Sequence, residues 1–292
     1  MRLKLLIVVF LFQETLCIAS TPILGENIPP VDVGQFLPNQ AVSAIVKVIG
    51  TLTTHRPYQG ALTQSAQSKD ALGLGFGLGI EATLIHLPSD FFSSLETAGI
   101  KMGSNSPIAS LPIAKVHLTK STSPVTNFGI SGLYYKGSYI LGGDFKRVLF
   151  VPEEGLVWSF RLSYSETKID LGAVSVKKLP LIIKDVKIGE ASLILNNRSI
   201  TPEIIGSKKL DFAEPYLGFG LDFLNGQIDL PLSFTVLNDT QTLTTPEYSA
   251  RAYHLLTGVS FQVPIIGVTW TLEGSFSSIG AHTFGTVIGI SL

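Results

Sequence analysis

The sequence predicts an all-β chain: an antiparallel transmembrane β-barrel of about twelve strands, with ten and fourteen as the neighbouring even counts, and a short N-terminal helix ahead of the first strand. Three observations carry that prediction. Hydrophobicity alternates with period two in segment after segment. The face opposite the large apolar side chains is built from Gly, Ser and Thr, where a soluble sheet would show Lys and Glu to water. The alternating segments also run to about ten residues, the length of a tilted strand crossing a bilayer.

Composition agrees with this reading. Charged residues make up 15% of the 292 positions and hydrophobic ones 45%, against about 25% charged in ordinary soluble domains. Mean hydropathy is +0.38, yet beyond the first twenty residues no stretch approaches the roughly 20 continuous apolar residues of a membrane helix. The formal net charge of −1 offers nothing to a nucleic acid backbone. Cys17 is the only cysteine, which removes disulfide scaffolds, thiolate zinc sites and thiol catalysis together.

Residues 1–20 (MRLKLLIVVFLFQETLCIAS) have the layout of a cleaved secretory signal. Arg2 and Lys4 precede an apolar run from Leu5 to Phe12, and small residues follow at Ala19 and Ser20. Leu16 stands before Cys17 where lipoprotein processing needs a small residue, so cleavage without lipidation is expected. Residues 21–70 form a lead-in. Within it, Asn39 caps an amphipathic helix over about 39–53, whose Val42, Ile45, Val46, Ile49 and Leu52 share one face. His55-Arg56-Pro57 ends that helix, and it is expected to plug the barrel or to cap its periplasmic end.

The barrel itself is expected over 71–292. In ALGLGFGLGIEATL (71–84) the even positions are Leu, Phe, Ile or Ala, and the odd ones are Gly73, Gly75, Gly77, Gly79, Glu81 and Thr83. No G-x-G-x-x-G register occurs there, which excludes a phosphate-cradling loop. Trp158, Phe160, Leu162 and Tyr164 repeat the one-sided pattern, as do Leu217, Phe219, Leu221 and Phe223, then Val268, Trp270 and Leu272, then Phe284, Ile288 and Ile290. The expected strands are 71–85, 112–120, 127–136, 138–149, 155–165, 168–178, 215–224, 226–235, 248–263, 265–276 and 283–292. One more lies within 180–210, a region with no clean alternation. Connections near 121–126, 150–154, Leu224-Asn225-Gly226 and 263–265 are expected at the periplasmic end. Residues 86–111, with a short helix in SDFFSSLETAG, and 236–247 are expected as outer loops.

These registers turn Glu81, Lys115, His117, Asp144, Lys146, Arg161, Asp222, His254 and Glu273 into the lumen. Isolated charges in a low-dielectric wall are costly, so mutual pairing or water is expected around them. The five histidines are scattered, with no H-x-x-x-H pair, and no G-x-S-x-G elbow occurs. No catalytic residue, metal site or cofactor is assigned.

The order of segments resembles a family of predicted bacterial outer-membrane β-barrel proteins. The resemblance is carried by VSAIVKVIG, then HRPY, then LGLGFGLGIEAT, the loop SDFFSSLETAG before LPIAKVHLTK, and the F-x-x-P-Y-x-G-x-G stretch in FAEPYLGFGLDF. It covers about 39–292 and implies a fold and a location, with no catalytic or ligand site to carry over. The closing Leu292 departs from the terminal aromatic common in bacterial barrels. The expectation is therefore a bacterial outer-membrane barrel whose partners are membrane lipid and, during insertion, the barrel-assembly machinery. A passive pore or conduit for small solutes or hydrophobic molecules is the leading function. A closed structural or surface-interaction barrel, a barrel enzyme acting on lipid or peptide at the outer rim, and a soluble periplasmic or secreted β-protein are the alternatives.

Overall fold

Long period-two segments leave every backbone N–H and C=O pointing sideways, and a sheet that closes on itself pairs them all without an edge. The computed structural model describes residues 43, 47, 50, 75–86, 100–101, 110–135, 137–152, 155–176, 188–234, 239–244, 247–263 and 267–291. They form strands β1 (Phe76–His86), β2 (Ile100–Lys101), β3 (Ser110–Ser123), β4 (Thr126–Tyr135), β5 (Ser138–Phe150), β6 (Val157–Val176), β7 (Ile188–Ser207), β8 (Ala213–Phe234), β9 (Asp239–Thr244), β10 (Tyr248–Val263), β11 (Val268–Ser277) and β12 (His282–Ser291). Ten of them make an antiparallel ring in the order β1-β3-β4-β5-β6-β7-β8-β10-β11-β12. Pairing of β1 with β12, from Gly77↔Ser291 to His86↔His282, closes it. The two-residue β2 pairs with the end of β6, and β9 pairs antiparallel with the Asp229–Phe234 end of β8.

The barrel thus has ten strands where about twelve are expected, and the correction has a single cause. Segments 155–165 and 168–178 are one strand, β6, and 215–224 and 226–235 are one strand, β8. The gap expected at 166–167 and the turn expected at Leu224-Asn225-Gly226 are both extended strand. Gly226 pairs with both Asn197 and Tyr248. Described glycines in the left-handed region sit elsewhere: Gly75 (φ 66°) just before β1, and Gly137 (82°), Gly155 (120°), Gly267 (62°) and Gly280 (79°) at true connections. Leu224-Asn225-Gly226 is therefore no periplasmic turn.

At one end the connections are short: 124–125 and 208–212, the latter closed by Leu210 N–H donating to the Ala213 carbonyl at 2.8 Å. The longer connections, from β1 to β3 (87–109), from β6 to β7 (177–187) and from β8 to β10 (235–247), fall at the other end. The expected helix in 89–99 lies outside the described residues. So does most of the helix expected over 39–53, of which Ser43, Lys47 and Gly50 are described and have helical backbone. Gly50 is buried, and a Cβ added to it would lie 2.5 Å from the inward-facing Leu224 side chain.

The burial pattern is inverted relative to a soluble sheet. Large apolar side chains line the outside, with Ile80 at 65%, Ile130 at 62% and Phe284 at 60% exposure, while Ser, Thr and charged residues are buried. Aromatic contacts on that outer face include Phe128 with Phe145 and Phe261 with Trp270. No helix among the described residues is long and apolar enough to cross a membrane.

Candidate functional site

Ten strands enclose an interior only slightly wider than the eight-stranded barrels that side chains fill completely. The inward faces here are occupied by charge. Lys146, Arg161, Glu203 and His254 are each exposed by 2% or less, and the first three lie on one row of cross-strand partners, Lys146↔Arg161↔Glu203. Arg161 Nε donates to Glu203 Oε2. The row continues through Gly220 to His254, whose Nε2 lies 3.0 Å from Glu203 Oε1. Its other ring nitrogen, Nδ1, lies 2.9 Å from Asp222 Oδ2, and Thr201 donates its hydroxyl to Asp222 Oδ1 at 2.9 Å.

Three further clusters lie on the inner wall. Lys115 Nζ pairs with Glu81 Oε1 at 2.9 Å, and Thr83 donates to the same oxygen at 3.0 Å. His117 Nε2 lies 3.3 Å from Asp144 Oδ1, while the buried Lys146 feels the charges of Glu214 and Asp144. Tyr216 donates its hydroxyl to Glu273 Oε2 at 2.8 Å. Glu81, Lys115, Asp144, Lys146, Arg161, Asp222, His254 and Glu273 are buried, and His117 is half-buried. Among the described residues the buried carboxylates are Glu81, Asp144, Glu203, Glu214, Asp222 and Glu273, against Lys115, Lys146 and Arg161 as fixed cations.

The glycines explain how these groups meet. Inward side chains on strands n and n+2 are separated by about 10 Å of wall, twice the 4.8 Å strand spacing, and they touch only if nothing stands on the strand between. Glu203 on β7 and His254 on β10 meet over Gly220 of β8, where an added Cβ would come within 2.6 Å of both. Tyr216 and Glu273 lie on opposite sides of Gly258, whose added Cβ would meet the Tyr216 hydroxyl at 2.4 Å. Asp144 and His117 meet over Gly129, at 2.3 and 2.6 Å from the Cβ position. None of these three has the positive φ that demands glycine. The requirement is space.

Sequence reasoning missed Glu203, Glu214 and Tyr216. Region 180–210 lacks alternation because Pro202 and Gly206 face outward and Ile205 faces in, so the register of Glu203 was hidden. The signal available was Gly220 itself, a bare inward position flanked by two reaching side chains.

Chemically, this is a pairing network. Asp222 and Glu203 take opposite nitrogens of one imidazole, so the three do not close on one ion, and no metal-ligating trio occurs among the described residues. Of the remaining described histidines, His86 and His282 are cross-strand partners at the end bearing the long connections, both on the outward face.

No family model matches the sequence, and no curated protein matches it either. Solved structures resemble it in architecture. The translocator domain of the autotransporter NalP from Neisseria meningitidis aligns at TM-score 0.37 and 12% identity, covering 87% of this chain and 98% of that one. The outer membrane protease OmpT from Escherichia coli aligns at 0.38 and 11%, covering 75% and 94%. The Ralstonia pickettii toluene transporter TbuX aligns at 0.30 and 8%, covering 80% and 97%.

Proposed function

We propose that this chain is a bacterial outer-membrane β-barrel whose lumen is closed by its own side chains, acting at the cell surface as a structural or interaction barrel. The observation that carries the reading is the inverted burial: a belt of large apolar side chains on the outside of a closed ring of strands, with ion pairs inside. Lipid is the solvent that such a belt matches. Export through the segment 1–20 and insertion by the barrel-assembly machinery belong to this reading, and no enzymatic step does.

Of the two passive functions, closure is favoured over conduction. A diffusion pore keeps its charged lumen residues in water, whereas Arg161, Glu203 and His254 are buried against one another and Lys146 is buried beside them on the same row. Two experiments test the reading. On a gel, folded protein should shift its migration unless boiled, as membrane barrels do. In planar bilayers, the same preparation should give no conductance steps. Steady unitary steps would overturn closure, and recovery of the protein in the detergent-free periplasmic fraction would overturn the membrane assignment.

A further inference from the structure

The outer wall changes character along one row of cross-strand partners. Tyr164, Ile200 and Phe223 end the apolar belt on β6, β7 and β8, and the next outward row is Glu166↔Arg198↔Asn225↔Ser249. Strands β6 to β8 run to 20–22 residues, about twice what a bilayer needs, so this row starts a rampart that stands clear of the belt. A cavity of about 300 Å³ opens on it, lined by Tyr139, Glu166, Asn196, Arg198, Asn225 and Gln227 among others. That volume sits at the lower end of the roughly 300–1,000 Å³ of small-molecule sites.

The lining is preorganised. Tyr139 donates its hydroxyl to Glu166 Oε1 at 3.0 Å, and Ser249 donates to Asn225 Oδ1 at 2.7 Å. Asp229 accepts from Asn196 Nδ2 at 2.6 Å and from Gln227 Nε2 at 3.1 Å, which fixes both amide planes. Groups held in this way lose little rotamer entropy when a ligand arrives.

We propose that this rampart cavity is a binding site for a neutral saccharide. Adjacent sugar hydroxyls are each donor and acceptor, and side-chain amides with a carboxylate and a guanidinium satisfy them in pairs. Other ligand classes fit worse. An acyl chain would strand the polar lining. An anion such as a lipid phosphate would meet Glu166 and Glu247 against the single cation Arg198 among the lining groups. The sugar could be a free oligosaccharide or the headgroup of a glycolipid, since the site lies just beyond the belt. The inference does not depend on whether the lumen conducts.

The test is saturation-transfer NMR on the full chain in a sugar-free detergent, with lactose, N,N′-diacetylchitobiose and maltotriose as probes, and with lipooligosaccharide nanodiscs as a second arm. Transfer to ring protons of at least one soluble probe is expected, weakened at least about ten-fold in Asn225→Ala and in Gln227→Ala but retained in Arg147→Ala, on the opposite half of β5. Binding confined to the nanodiscs, surviving removal of the lipid phosphates and lost in both variants, identifies the glycolipid source. Binding that disappears with the phosphates, equal binding in all variants, or no transfer to any probe would overturn the proposal. Heat-modifiable migration of each variant establishes that it is folded.

Discussion

His254 reaches across a whole strand to Glu203, at 3.0 Å, and the residue it passes over is Gly220. The relationship makes a sharp prediction. Gly220→Ala places a methyl 2.4 Å from His254 Cε1, and overpacking of this kind costs about 1–3 kcal/mol. Gly143→Ala, whose Cβ would meet only a backbone oxygen at 3.8 Å, should be neutral. Equilibrium unfolding in denaturant, followed by tryptophan fluorescence in detergent, separates the two.

Glu203 serves both Arg161 and His254, so its loss takes a carboxylate from each of two buried groups, although Asp222 still holds the other ring nitrogen of His254. Glu203→Gln should destabilise by about 3–5 kcal/mol, the usual cost of breaking a buried pair. Adding Arg161→Met to that background should recover part of the loss, because the uncompensated charge is then gone. A double-mutant cycle on unfolding midpoints measures the recovery. Additive losses would mean that the two groups are not coupled.

The position of the belt's edge is testable by charge insertion. Phe219→Arg, within the apolar run of β8, should cost about 2–4 kcal/mol, and Asn225→Arg, past the proposed boundary, about 0–1 kcal/mol. Refolding yields into lipid vesicles as a function of urea give both values. Equal penalties at the two sites would move the boundary beyond Asn225.

Gly50 and Leu224 supply a fourth test. Gly50→Val should destabilise, since its Cβ would lie 2.5 Å from a Leu224 methyl. Leu224→Ala in the same chain should relieve the overlap and restore most of the loss, read as the temperature at which heat-modifiable migration is lost.

The sequence by itself determined the barrel class and the facing of most strands. Period-two alternation needs no partner to be read: Phe76, Leu78 and Ile80 must lie opposite Gly77 and Gly79 whatever they pair with. It did not determine the count of ten, because Asn225-Gly226 carries the residue types of a turn and alternation alone does not mark where β6 ends. Only pairing with β7 and β10 shows that the chain runs straight on there. The partners of the inward charges were equally a tertiary matter. Glu203 and His254 are 51 positions apart, and they meet because ring closure fixes which strands are second neighbours. The glycines sit at that junction of the two levels. Their alternation marked an inner face in the sequence, and the closed ring turned Gly129, Gly220 and Gly258 into the gaps over which the interior network is strung.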